Sequence, residues 1–260
     1  MTDQPVLLDR AGAVLTVTLN RPHRKNAIDL PMWDGLYQAF HDAERDDDVR
    51  VVVVTGAGGD FCGGADLSTD VEDHPLTRMH RVNDVALALN EISKPTIAKV
   101  DGVAVGAGWN LALGCDLVVA TERARFSQIF ARRGLSLDFG GSWLLPRLVG
   151  LQQAKRLALR AEMIGAAEAH DLGLVTWTTP ADELDSFVDS LAAELAEAPP
   201  IALALSKRLL EEGASRTLRE ALEGEARAQT INFATEDAPA AFEAFLDKTE
   251  AKYTGRWAVR

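Results

Sequence analysis

Val51 to Leu67 reads VVVVTGAGGDFCGGADL, and Val100 to Leu113 reads VDGVAVGAGWNLAL. Each passes from a β-branched run into a cluster of glycines. A run such as Val51 to Thr55 has the pattern of a strand buried on both faces, as in a parallel sheet flanked by helices. The glycines that follow allow the chain to adopt positive φ and allow a ligand to approach the main chain closely. Where such a turn opens a helix, unpaired N–H groups point outward and the helix dipole favours negative charge. Gly106-Ala107-Gly108 precedes the helical run WNLAL, while Gly63-Gly64-Ala65 leads into Asp66-Leu67. Two convergent N–H donors suit an acyl carbonyl that becomes an oxyanion, where losing one donor costs about 3 kcal/mol of barrier. The alternative is that both are tight connecting turns. Nucleotide-binding glycine motifs do not fit, because no G-x-G-x-x-G follows the first strand and no G-K-[ST] occurs.

Outward from these stretches, strand and helix signals alternate. Ala13 to Asn20 (AVLTVTLN) is an alternating β-branched segment that Arg21-Pro22 ends. Helices are predicted over Leu30 to Ala43 and Arg81 to Ile92, and strands over Thr96 to Val100 and Asp116 to Ala120. Beyond about residue 140 strand signals become scarce. Leu184, Phe187, Val188, Leu191 and Leu195 share one helix face, Pro199-Pro200 breaks that helix, and further helices are predicted near 201–212, 218–231 and 238–248. The expectation is an α/β core over residues 1–195 and a helical region over 196–260. That helical part has little material for a core of its own, so it is expected to pack against another subunit.

The chain of 260 residues is 47% hydrophobic and 25% charged, with net charge −12. This balance argues against a nucleic-acid or anionic-membrane surface. Cys62 and Cys115 are isolated, and the five histidines form no metal-ligand pattern, so neither a disulfide framework nor a metal site is expected. The first ten residues carry no apolar signal segment and no apolar stretch reaches bilayer length, which together with the free thiols predicts a cytoplasmic protein.

Taken in order, Leu19-Asn20-Arg21-Pro22, Asn26-Ala27, the two glycine-rich stretches and Cys115-Asp116-Leu117 resemble the enoyl-CoA hydratase/isomerase, or crotonase, family. The resemblance runs from about Val14 to about Lys248. It implies a spiral of ββα units with a C-terminal helical region, assembled as a trimer or a dimer of trimers. It also implies an acyl-CoA thioester substrate, with coenzyme A present only as part of that substrate and no separate cofactor. The oxyanion donors carry over to the N–H groups of Ala65 and Ala107. Arg24, Lys25, Asp66 and Leu67 are placed near the adenosine end of coenzyme A, although Arg24 and Lys25 also read as a solvated basic turn. Phe245 and Lys248 match positions that close the coenzyme A site, with a solvated lysine as the alternative.

Hydratases of this family use a pair of glutamates. Their positions are taken here by Asn110 and by Phe130 of Phe126-Ser127-Gln128-Ile129-Phe130. An amide does not exchange a proton at neutral pH and a phenyl ring has none to exchange, so plain hydration is not expected. One carboxylate does stand where double-bond isomerases and aryl-thioester dehalogenases carry theirs. It is Asp138, in GLSLDFGGSWLLPRLVG, a stretch that resembles the ring-1,2-epoxyphenylacetyl-CoA isomerases, with Leu137 where they carry proline. Asp138 also reads as an N-cap for a helix from Ser142. Between Leu137 and Phe139 its pKa would rise towards that of a general base. The expected reaction moves a double bond from the 3- to the 2-position of an enoyl thioester or rearranges a related acyl-CoA, the alternatives being residual hydration, thioester processing, or acyl-CoA binding without turnover. Trp109 and Phe130 are candidates to line the acyl pocket, Trp109 equally for the core. The acidic loop with Asp70, Glu72 and Asp73 would disfavour a negatively charged acyl tail, and His80 is a candidate assistant to Asp138.

Overall fold

The computed structural model describes residues 4–68 and 73–258. The valine run does what its composition requires. Strand β1 (Val6–Ala11) pairs antiparallel with β2 (Val14–Leu19), which leads to α1 (Leu30–Arg45). Parallel partners follow: β3 (Val51–Gly56), then, after α2 (Pro75–Asn90), β4 (Thr96–Val100). Val52 and Val54 face the main core with Leu36 and Phe40 of α1. Val51 and Val53 face the opposite way, so a second helix layer is needed to cover them.

From β4 the chain leaves the large sheet, adds β5 (Val103–Val105) to a small sheet and turns into α3 (Ala107–Leu113). It repeats the move with β6 (Leu117–Thr121), β7 (Arg125–Ser127) and α4 (Gly141–Arg160). After β3 the same role falls to a single bridge between Cys62 and Ala104. These ββα excursions form the spiral. Its small sheet is completed by β8 (Ile164–Gly165), and the large one by β9 (Trp177–Thr179), which follows α5 (Ala166–Asp171), giving the large-sheet order β1-β2-β3-β4-β6-β9. Helix α6 (Leu184–Glu197) supplies the second layer, placing Leu184, Val188 and Ala192 on Val51, Val53, Ile97 and Val119.

The helices α7 (Pro200–Gly213), α8 (Leu218–Phe233) and α9 (Asp237–Asp247) bury little: Ala228 in α8, Asp237 and Ala244 in α9, and no residue of α7. The tail is fastened to them. The buried Asp237 carboxylate accepts from the N–H groups of Thr254 and Gly255, and Arg50 of the body donates to the Tyr253 and Ala196 carbonyls. Leu210, Leu218, Phe233, Phe245 and Leu246 are exposed, as expected of a region without its own core. No helix among the described residues is long and apolar enough to cross a membrane.

Three differences from the sequence reading have local causes. The first ten residues hold β1, an edge strand whose largely exposed positions leave no apolar signature. Helix α2 begins at Pro75 rather than Arg81, because its opening turns lie exposed with His74 as N-cap and carry no core pattern. The second glycine-rich turn contains β5, too short to show a period. Asp70 and Glu72 of the acidic loop lie outside the described residues.

Candidate active site

The first glycine-rich loop is held from both ends. Asn26, buried at φ +53°, donates through Nδ2 to the carbonyls of Ala57 and Asp60 and accepts the Arg21 N–H. Gly63 N–H donates to Lys25 O at 2.7 Å, Ile28 N–H to Gly64 O at 2.8 Å, and Asp66 N–H to Ile28 O at 2.8 Å. This parallel bridge uses the groups either side of Ala65, so the Ala65 N–H points away from it. Cys62 pairs with β5 through Cys62 N–H to Val103 O and Val105 N–H to Cys62 O, which fixes the first loop against the second. They touch closely. A Cβ on Gly64, where φ is +89°, would lie 2.9 Å from Val105 O and 3.8 Å from Ala107 N, and one on Gly108 would lie 2.6 Å from Cys62 Sγ.

In the second loop Gly106 (φ +56°) turns the chain so that Ala107 is the first residue of α3. Neither the Ala65 nor the Ala107 N–H is taken by a main-chain carbonyl among the described residues. The two loops nevertheless differ. Ala107 stands at a helix N-terminus; after Ala65 the next helix among the described residues begins at Pro75.

Asp138 lies across a cavity of about 420 Å³ whose wall includes Ala65, Asp66 and Leu67 from the first loop, Trp33 of α1, Val82 of α2 and Asp138 itself. Its Oδ1 is buried without a hydrogen-bond partner among the described residues. Loss of water around the carboxyl raises its pKa from 3.8 to about 6, the direction expected from Leu137 and Phe139. It does not cap α4. The N-cap is Gly140, with no side-chain cap, and Asp138 contributes only its carbonyl, which accepts from Gly141 N–H at 2.9 Å. The turn after it is strained, since Phe139 has φ +46°. A non-glycine residue there costs about 1–3 kcal/mol and persists only where its surroundings enforce it, and here the buried Phe139 ring stacks on Trp33 at 5.7 Å.

Of the other expected residues, Asp66 and Leu67 do line the cavity. The Ser68 hydroxyl and N–H, with the Arg21 guanidinium, hold Asp66 at about 2, so it is a fixed negative charge rather than a proton carrier. Arg24 and Lys25 are exposed, Arg24 reaching Ser68 Oγ at 3.0 Å and Lys25 lying 3.5 Å from Asp60. Trp109 takes the second of the two places the sequence left open to it. It is wholly buried against Phe126 in the core and does not line the cavity, because α3 is enclosed on all sides. Phe130 is buried as well, close enough that a Cβ on Gly106 would lie 3.7 Å from its ring, so it packs behind the second loop instead of facing the cavity. Lys248 ends α9 in the left-handed region and, with the exposed Phe245, is not part of the cavity wall within one chain. His80 is exposed on α2 and is absent from the wall. The sequence reading missed Trp33, Met79, Val82 and Arg78, which α1 and α2 bring to the cavity. Trp33 and Val82 fall on the apolar faces of their helices while Arg78 and Met79 lie in the exposed opening turns of α2, and nothing in their spacing says which residues meet a ligand.

The spiral of ββα units and its paired glycine-rich loops are what the family resemblance implies, and comparison with known proteins agrees. The enoyl-CoA hydratase/isomerase family model matches residues 9–256, and the chain belongs to that family. It is 35% identical over 250 residues to the 1,2-epoxyphenylacetyl-CoA isomerase of Escherichia coli K12, covering 94% of this chain and 95% of that one. It is equally 35% identical over 247 residues to the short-chain-enoyl-CoA hydratase of Clostridium acetobutylicum, covering 94% and 95%. Among solved structures, an enoyl-CoA hydratase from Polaromonas sp. JS666 superposes with a TM-score of 0.91 at 33% identity, covering 96% of this chain and 99% of that one.

Proposed function

We propose that this protein is an acyl-CoA isomerase that works through a thioester enolate with Asp138 as its single base. The observation that carries this reading is the half-buried carboxyl of Asp138, whose Oδ1 is buried without a hydrogen-bond partner among the described residues, lining one cavity with Ala65, in a chain where Asn110 and Phe130 stand at the positions of a hydratase's paired glutamates. A carboxylate with pKa about 6 is ionised at neutral pH yet basic enough to take a proton from carbon. In the proposed cycle Asp138 removes a C2 proton from a 3-enoyl thioester. The N–H groups of Ala65 and Ala107 hold the dienolate oxygen, and the Asp138 carboxylic acid returns the proton to C4. The product is the 2-enoyl thioester, with no net change in atoms or charge. The same enolate-stabilising frame would serve rearrangement of a related acyl-CoA, such as the substrate class named for the Escherichia coli relative.

The exposed apolar side chains of α7 to α9 support assembly as a trimer or a dimer of trimers, with Lys248 reaching the site of a neighbouring copy. Arg24 and Lys25 would meet the phosphates of coenzyme A, and no separate cofactor is required. Incubation with 3-enoyl-CoA, followed by absorbance of the conjugated thioester, tests the assignment. Rapid formation of 2-enoyl-CoA by the wild type and at least a thousandfold loss in Asp138→Asn are expected; full activity in that variant would refute it.

A further inference from the structure

Asn110 and Gln128 are both wholly buried, where a carboxamide costs free energy unless its polar atoms find partners; those of Asn110 do, while Gln128 Oε1 has none among the described residues. Asn110 Oδ1 accepts from Gln128 Nε2 at 2.8 Å, and Asn110 Nδ2 donates to the main-chain oxygen of Asp138 at 2.9 Å. The Asp138 carbonyl can only accept. It therefore dictates which end of the Asn110 amide faces it, and that in turn dictates which end of Gln128 faces Asn110. The same carbonyl also accepts from Gly141 N–H, so the Asp138 peptide is gripped from two sides. Asn110 has been given room to do this. A Cβ on Gly141 would sit 2.8 Å from Asn110 Cγ, and only glycine fits there.

We propose that Asn110, aimed by Gln128, is a positioning residue that fixes the Asp138 peptide so that the carboxyl group is presented to the cavity. The inference rests on Asp138 being the base. It gives a use to the position where hydratases carry a glutamate: an ionised glutamate would offer the Asp138 carbonyl an acceptor, whereas an amide offers the donor it needs. Asn110 touches the backbone of the base and acts through it.

The test compares Asn110→Ala, Asn110→Asp, Gln128→Leu and Asp138→Asn in the isomerisation of 3-enoyl-CoA, measuring kcat, KM and the pH profile of kcat/KM. Displacing a reacting group by about 1 Å can cost a hundredfold in rate. Accordingly, Asn110→Ala and Asn110→Asp are expected to lower kcat about tenfold to a hundredfold with KM changed less than about threefold. Gln128→Leu should lower kcat less, since it only frees Asn110 to turn. Asn110→Asp should also move the acid limb of the profile to higher pH, because a second carboxylate disfavours ionisation of the first. The other ionisable groups on the cavity, Asp29, Asp66 and Arg78, are unchanged in all four variants. Should Asn110→Ala fail to fold, the isosteric Asn110→Asp carries the same comparison, with thermal melting as the check on folding. Wild-type kcat and pH profile in a folded Asn110 variant, beside an inactive Asp138→Asn, would overturn the positioning role alone. Activity retained in Asp138→Asn would overturn both it and the isomerase reading.

Discussion

The two sides of the cavity are made in opposite ways. The side with Ala65 is main chain and glycine, pressed against the second loop through Cys62, Val105 and Gly108; Ala107, buried in that second loop, is not itself part of the cavity wall. The side with Asp138 is one loop, its carboxyl half-buried and its following residue held at positive φ. Donors that belong to the backbone need no particular side chain, only the absence of side chains that would block them. The carboxylate depends on its environment for both its direction and its pKa. In the proposed reaction the first side would hold the enolate and the second would decide where its proton goes.

Gly64→Ala attacks the backbone side most directly. The new methyl group would meet Val105 O at 2.9 Å with φ at +89°, so the loop must shift and carry Ala65 N–H with it. A fall in kcat/KM of about a hundredfold to a thousandfold is expected, the scale of a lost oxyanion donor. Steady-state assay with acyl-CoA binding measured alongside would show whether rate falls more than affinity.

On the carboxylate side, Asp138→Asn should gain stability where it loses activity. Burial raises the folded pKa to about 6 from 3.8, so the folded state favours the protonated form. That contribution is complete below the unfolded value near 4 and disappears as pH rises through about 6. Urea denaturation should therefore find Asp138→Asn more stable than wild type by up to about 3 kcal/mol at pH 8 and equal to it at pH 4. A variant no more stable at pH 8 would mean that the carboxyl is better solvated than its surroundings indicate.

Gly108→Ala probes the seam between the loops. With a Cβ 2.6 Å from Cys62 Sγ and 2.7 Å from its carbonyl, overpacking should cost about 1–3 kcal/mol in chemical denaturation. Smallest of all, Arg24→Ala with Lys25→Ala should raise KM about threefold at low salt and less at high salt, since screening weakens contacts between exposed charges. A salt-independent KM would remove these residues from coenzyme A binding.

How much of this was legible beforehand varied with element length. The valine run, Thr96–Val100, α1 and α6 were readable because several turns or alternations repeat one pattern. The short strands β7 and β8 were not, since two or three residues carry no period. Asp138 was picked out by position in the sequence, but its release from the N-cap role became visible only when Gly140 proved to be the cap. Trp109 and Phe130 stood close in sequence to the proposed chemistry yet turned into the core, while Trp33, Met79 and Val82 stood far away and turned towards it.

By itself the amino-acid sequence determined the strands of the parallel sheet and the two glycine-rich turns, which are matters of residue type and local order that local sterics and hydrogen-bonding capacity decide. The family resemblance added that Asn110 and Phe130 stand at the hydratases' glutamate positions and that Asp138 is the carboxylate to watch. Only the tertiary structure decided that Asp138 is desolvated, that Asn110 and Gln128 hold its peptide, and which helix faces enclose the cavity. Each of those depends on groups distant in sequence meeting at hydrogen-bond or van der Waals range, and that meeting is settled by the packing of the whole spiral.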